Sequence, residues 1–427
     1  MKKPQISIII PLYNKSKYIK QCIDSLLIQT FSDIEIICVD DKSTDDSAEI
    51  VKLLASKDDR IIMIQHIKNF GTMKSRSTGV KKATGFYIMF VDADDELEPN
   101  ACEILNEYVK QFKADIYGFG TNVICPDIKI QEKTQLYFKP YEGYLYGNDI
   151  LKRIIVNEEV SYAVWDKLYS SSLCKKVYEQ IGECHIKREV NPITEDIYAL
   201  LFIGYYADSF FGISDSIYRY HYGRGVMKRG QLSLEQFKKH CISALDADDF
   251  REFFLSEGKT EQFMDVVKSF QAKMFKQCTY EWINQIAYED KDAALEILMQ
   301  YWKHNDLVKE FALIVASSAK KSWETPFSLL PRGGSIILYG AGEMGKDYYR
   351  QITNSEICKI VLWVDREYKH HRNLGLHVSS PDDIVNVSYD NILIAVADCK
   401  NADNIKHLLI NKLNISDNQI IWKNPLN

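Results

Sequence analysis

The sequence predicts an α/β protein: a strand–helix block at the N-terminus, a helical middle segment and a small α/β unit at the C-terminus. Three observations carry this. Short apolar runs alternate with amphipathic stretches over the first hundred residues. The pattern from Leu232 to Trp323 is helical, free of proline, with glycine only at 258. A Pro- and Gly-containing linker at 326–334 then gives way to a new apolar strand, Ser335-Ile-Ile-Leu-Tyr339, followed by Gly340.

The elements follow in order. Ile6–Ile10 is a continuous apolar run, as expected of a strand buried on both faces. Apolar residues at 19, 22, 23, 26 and 27 have the spacing of an amphipathic helix, with Asn14 or Ser16 as candidate caps. Ile34–Val39, Ile61–Gln65 and Phe86–Val91 are the next strands, and Ser47–Ala55 is a helix between them. Such alternation predicts a parallel, doubly wound sheet. Residues 100–225 are mixed, with a helix from Thr194 and a strand at Ser209–Ile213. Strands near Ile360–Asp365 and Asn391–Ala397 complete the C-terminal unit. The boundaries expected are 1–230, 231–325 and 326–427.

Composition narrows the function classes. The chain has 427 residues, 53 basic and 59 acidic side chains and a formal charge of −6, so no global basic field draws it to nucleic acid. The ten cysteines are scattered without a Cys-x-x-Cys pair, which fits a reduced, cytoplasmic protein and argues against zinc. The run Ile6–Ile10 is too short for a signal peptide, and no stretch approaches the roughly 20 apolar residues of a membrane span.

Ligands of doubly wound sheets bind beyond the carboxyl ends of the strands. Polar clusters stand at those ends: Pro11-Leu-Tyr13-Asn14, Asp40-Asp41-Lys-Ser-Thr-Asp45 and Asp92-Ala-Asp94-Asp95. Three carboxylates within four positions repel one another, so a cation is expected among them. Hard oxygen ligands favour Mg²⁺ or Mn²⁺.

The ordered set Ile-Ile-Pro11-Leu-Tyr-Asn14, Val-Asp40-Asp41-Lys-Ser-Thr-Asp, Asn69-Phe-Gly71 with Arg76 and Gly79, Gly85-Phe-Tyr-Ile-Met-Phe-Val-Asp92-Ala-Asp94-Asp95, Trp165-Asp-Lys-Leu-Tyr169, Thr194-Glu195-Asp196 and Tyr218-Arg-Tyr-His221 resembles the family-2 glycosyltransferases. The resemblance covers roughly residues 5–225. It implies the GT-A nucleotide-sugar-binding fold and an inverting, metal-dependent hexosyltransferase-type reaction. A sugar would pass from a nucleotide diphosphate to an acceptor hydroxyl in capsule or lipopolysaccharide synthesis. By the same resemblance Asp92 and Asp94 hold metal and ribose, and Asp41 accepts the N3–H of uracil, which points to a UDP-sugar. Pro11, Tyr13 (stacking on the base), Arg76 and Lys167 contact the donor. Asp196 is the general base, with Glu195 beside it. His221 is a metal ligand or a packed residue. Arg219, Arg224, Lys228 and Arg229 form a segment able to close over the diphosphate. Many relatives have Asn at the position of Asp166, which leaves the role of that residue open.

In the C-terminal unit, Gly340-Ala-Gly342-Glu-Met-Gly345 lies between a strand and a helix, with Asp365 at the end of the next strand, 20 residues beyond Gly345. This context suits a dinucleotide, yet the unit has the length of half a dinucleotide fold. It resembles Rossmann-like domains appended to polysaccharide glycosyltransferases, with nucleotide binding and a structural or assembly role both open. The expected partners are a UDP-sugar donor and a glycan or lipid-linked glycan acceptor. Association with the inner membrane face and self-assembly are left open. A nucleotide-binding regulator with a degenerate transferase domain is the alternative function.

Overall fold

The structure is a computed structural model and describes residues 3–185, 195–225, 231–287, 290–302, 323, 325–355, 357–373 and 376–424. The chain forms two compact units, Met1–Lys228 with Ile242–Met274, and Arg229–Cys241 with Phe275–Asn427. The helical stretch expected at 231–325 is thus shared between them.

The first unit is built on strands β1 (Ile6–Leu12), β2 (Ile34–Asp40), β3 (Ile61–Gln65), β4 (Tyr87–Phe90), β5 (Glu96–Leu97), β6 (Ile116–Ile124), β7 (Gly143–Tyr146), β8 (Lys167–Ser170) and β9 (Ser209–His221). The sheet runs β3-β2-β1-β4-β8-β6-β9-β5, with β7 also on β9. Only β3-β2-β1-β4 forms the expected parallel block. Beyond β4 the sheet is mixed: β8 is antiparallel to β4 and β6, while β6 and β9 are parallel. Residues of β1 and β2 pair in register from Ile6↔Ile34 to Leu12↔Asp40, which brings both strand ends to one edge.

Helices α1 (Ile19–Leu27), α2 (Ser47–Ala55) and α3 (Thr72–Lys82) connect the parallel strands. The cap of α1 is Tyr18, which makes no side-chain cap bond. Neither Asn14 nor Ser16 serves there; the Ser16 N–H donates to Asp45 Oδ2 at 3.0 Å. Helix α3 lies tightly on β1, since a Cβ on Gly79 would sit 2.4 Å from Ile9 Cγ2. That approach sets the depth of Arg76, one turn earlier on the same face.

The helix that begins at the acidic pair, Glu195–Tyr206, is apolar all round, and Ile197–Gly204 is buried throughout. Such a helix needs cover on every side. Phe250 packs against Tyr198 and Phe202 at ring distances of 4.6 and 5.3 Å. A fully packed helix holds its N-terminus in a fixed place.

The second unit carries a four-stranded parallel sheet: β10 (Ser335–Tyr339), β11 (Lys359–Val364), β12 (Asn391–Ile394) and β13 (Ile420–Ile421), in the order β11-β10-β12-β13. Separate apolar clusters line its two faces, one around Leu338 and Leu393, the other around Ile337 and Ile392. Among the described residues no helix is long and apolar enough to cross a membrane.

Candidate functional site

The ends of β1, β2 and β4 build the first wall. Pro11 lies near the end of β1, opposite Val39. Tyr13 follows and is 44% exposed, open for stacking. Asn14 takes a left-handed φ of 52° and docks on the next loop: its N–H donates to Ser43 Oγ at 3.0 Å, and its Oδ1 accepts from the Thr44 N–H at 2.8 Å. Asp40 is buried and accepts from Gln65 Nε2 at 2.9 Å. Asp45 accepts from Ser16 and from the Ser47 N–H and hydroxyl, which hold its carboxyl down at about 2.

Asp41 is an organiser of this wall. Its Oδ1 meets His66 Nδ1 at 2.7 Å and the Phe70 N–H at 2.9 Å, and its Oδ2 accepts from the Gly71 N–H at 2.7 Å. Three donors on one carboxylate fix the loop that leads into α3, and the group is nearly closed to solvent. His66, which belongs to none of the motifs, passes the contact on through Nε2 to Thr78 Oγ1 at 2.9 Å.

Arg76 stands at the centre. Its side chain is 3% exposed, with one nitrogen 2.5 Å from Asp196 Oδ1 and another 3.3 Å from Asp92 Oδ1. Burying a guanidinium is costly unless acids meet it; here two do, and they hold it firmly protonated. Asp92 and Asp196 stay partly open, at 32% and 27% side-chain exposure. Burial pushes the Asp92 carboxyl up to about 6, Arg76 opposes this, and Asp196 and Asp94 add to it. Glu195 is pushed by burial to about 7 against Arg76, with the Asp196 charge adding and the Thr72 hydroxyl and Met73 N–H resisting.

Asp94 pairs with Lys15 Nζ at 2.6 Å, and Lys15 also donates to the Arg224 carbonyl at 2.9 Å. Lys15 was not singled out in the sequence. Asp95 is an inner brace: it accepts from Tyr218 Oη at 3.0 Å and from the His221 N–H at 2.7 Å. Tyr218 Oη in turn accepts from the Asp92 N–H at 3.1 Å. Burial, with Asp92 and Asp94 nearby, raises the Asp95 carboxyl well above the usual range.

Two expected ligands face elsewhere. The His221 ring is buried, with Nε2 2.5 Å from Glu96 Oε1. Lys167 is buried and gives its protons to the Ser161 and Ala163 carbonyls and to Asp166 Oδ1, at 2.7, 2.7 and 2.5 Å. It braces the 161–166 loop, and no proton remains for a phosphate. Trp165 is stacked on Tyr218 and Tyr220 at 4.5 and 5.4 Å. Of the closing segment, Arg219 contacts Glu96 and Arg224 lies over the Tyr18 ring. Thr194, Lys228 and Arg229 lie outside the described residues.

Among the described residues no group of three or more His, Cys, Asp or Glu side chains forms a metal cage. Asp92 and Asp94 still fit a hard divalent cation, because Mg²⁺-type sites use one or two carboxylates and complete their shell with substrate phosphates.

The glycosyl transferase family 2 model matches residues 7–177, and a model described as C2185-like, N-terminal, matches residues 334–421. Glycosyltransferase GlyA of Streptococcus pneumoniae serotype 4 is 30% identical over 239 residues, 53% of this chain and 32% of that protein. The uncharacterized glycosyltransferase EpsJ of Bacillus subtilis is 38% identical over 181 residues, 40% of this chain and 50% of its own. The chain therefore spans a third to a half of the length of these two relatives. The crystal structure of S. aureus TarS 1-349 superimposes with a TM-score of 0.50 at 21% identity, over 70% of this chain and 80% of that one, and shares its fold. Residues 7–177, which carry Asp41, Arg76 and the Asp92–Asp95 run, match glycosyl transferase family 2.

Proposed function

We propose that the chain is a metal-dependent inverting glycosyltransferase that moves a sugar from a UDP-sugar to an acceptor hydroxyl. The acceptor is a glycan or lipid-linked glycan of a bacterial surface polysaccharide such as capsule or lipopolysaccharide, and the work is done in the cytoplasm. One observation carries this: Arg76 joins Asp92, beyond β4, to Asp196, at the start of the 195–206 helix, with Asp94 beside them.

In this mechanism Asp92 and Asp94 would hold Mn²⁺ or Mg²⁺, which when bound offsets charge on the diphosphate. Tyr13 stacks on the base, and Asp41 accepts the N3–H of uracil. Asp196 takes the proton of the acceptor hydroxyl as that oxygen forms a bond to the anomeric carbon. The bond to the diphosphate breaks on the opposite face, and its electron pair leaves with the nucleotide. Arg76 holds Asp196 in place at the start of its helix. Glu195 positions that helix end through Thr72 and Met73.

The test is a panel of nucleotide sugars assayed for donor hydrolysis with Mn²⁺ and with EDTA. UDP-sugars should be turned over with metal only. UDP should bind more tightly than CDP by about tenfold, the scale of one hydrogen bond to a charged acceptor. Full turnover in EDTA, or equal affinity for UDP and CDP, contradicts the assignment.

A further inference from the structure

A cavity of about 490 Å³ lies at the carboxyl ends of β10, β11 and β12, lined by residues that include Tyr339, Gly340, Asp365, Arg366, Val396 and Ile405. The transfer chemistry uses none of them. In the order β11-β10-β12-β13, the chain leaves β10 for one side of the sheet and later crosses to the other. This is the switch point where open α/β sheets take their ligands.

The three glycines of the loop play different parts. Gly340 has φ +114°, and a Cβ there would lie 2.7 Å from the Ala395 carbonyl oxygen. A Cβ on Gly345 would lie 2.0 Å from the Gly340 carbonyl oxygen. Both are required by the fold. A Cβ on Gly342 would meet nothing within 4 Å, so the protein's own packing does not require glycine there. Just after it begins a 13-residue helix, Glu343–Ser355, whose first N–H groups have no intrahelical acceptor and favour an anion. The second independent sign is Tyr339. It is 1% exposed, lines the cavity, and its hydroxyl has no hydrogen-bond partner among the described residues. A buried hydroxyl without a partner is costly.

Asp365 narrows the ligand. A dinucleotide fold leaves this acid free for a ribose. Here Oδ2 accepts from the Ala341 N–H at 2.8 Å and Oδ1 from the Glu367 N–H at 2.7 Å, so the carboxylate braces the glycine turn. The four strands also amount to a single mononucleotide half.

We propose that this cavity binds the ribose-phosphate part of a mononucleotide, free or within a sugar nucleotide. The phosphate lies over Gly342 at the start of the 343–355 helix, with Arg366 supplying positive charge. The Tyr339 hydroxyl bonds the ribose, and Val396 and Ile405 flank the base.

The test is calorimetry on the full chain in EDTA, which disables the metal-dependent donor site, with UMP, a UDP-sugar and NAD⁺ as probes. Trp363 gives a local signal, because its Nε1–H donates to the Gly340 carbonyl at 2.7 Å. UMP should bind and shift the Trp363 indole resonance. Gly342→Ala should weaken UMP by about 10-fold or more with an unchanged melting temperature, and Tyr339→Phe by about 3-fold or more. Asp94→Ala should leave this binding unchanged. A UDP-sugar bound about 10-fold more tightly than UMP identifies the sugar nucleotide as the ligand. Absence of binding at about 1 mM, wild-type affinity in Gly342→Ala, loss of binding in Asp94→Ala, or NAD⁺ binding more tightly than UMP overturns the proposal.

Discussion

Arg76 and Asp196 are 120 residues apart in sequence and 2.5 Å apart in the fold. The same guanidinium reaches Asp92 at 3.3 Å, so one buried cation ties the strand that carries the Asp-x-Asp run to the helix that carries the proposed base. Arg76→Ala should leave two acids facing each other without it. The expected loss is about 2 kcal/mol of stability, discounted from the fully buried value because both acids are partly solvated. Transfer should fall about 10²-fold. Arg76→Lys keeps the charge but loses the fork, and should recover stability more than rate. Thermal melts and initial rates on the two variants check this; a fully active Arg76→Ala removes the bridge from the mechanism.

Lys15 Nζ lies 2.6 Å from Oδ2 of Asp94, a carboxylate that would hold the divalent cation. Its charge opposes the metal and favours the diphosphate. Lys15→Met should therefore tighten Mn²⁺ binding about 3- to 10-fold in the absence of nucleotide and weaken UDP when metal is present. Asp94→Ala should abolish measurable Mn²⁺ binding. Manganese EPR titrations read both, and an unchanged Mn²⁺ affinity in Lys15→Met contradicts the competition.

Glu195 predicts a pH signature. Burial raises its carboxyl from 4.5 to about 7, so the folded protein holds this proton more tightly than the unfolded chain. The resulting stability is complete below pH 4.5 and is lost as pH climbs through about 7. Glu195→Gln is neutral throughout and lacks this slope. Between pH 5 and pH 8 the wild type should lose melting temperature relative to Glu195→Gln. Parallel curves contradict the assigned burial effect.

How much of this was legible depends on the range of the interactions. The strands of the parallel block were readable because strands buried on both faces are mostly apolar, as in Ile6–Ile10 and Ile34–Val39, each interrupted once, at Ser7 and Glu35, which bond to each other. The Asp92–Asp95 run was readable because strand-end carboxylates are local. The depth of Arg76 was not, since Thr72-Met-Lys-Ser-Arg-Ser-Thr-Gly79 is a weakly amphipathic stretch in which a surface arginine fits equally well. Lys167 stands in a motif, yet two of its three acceptors are backbone carbonyls, which no residue type announces. The Glu96–His221 contact depends on β5 pairing antiparallel with β9, a long-range register without local periodicity. Lys15 follows the recognisable Pro11–Asn14 stretch, and only the fold shows that it reaches Asp94.

The most direct test of the central claim is proton NMR of the product's anomeric centre, made with wild type and with Asp196→Asn. Inverting transfer gives an anomer opposite to that of the donor sugar. The variant should bind UDP-sugar and metal normally and transfer about 10²-fold more slowly or worse, the scale of general-base catalysis. A retained anomer, or normal turnover by Asp196→Asn, would contradict inverting transfer with Asp196 as its base.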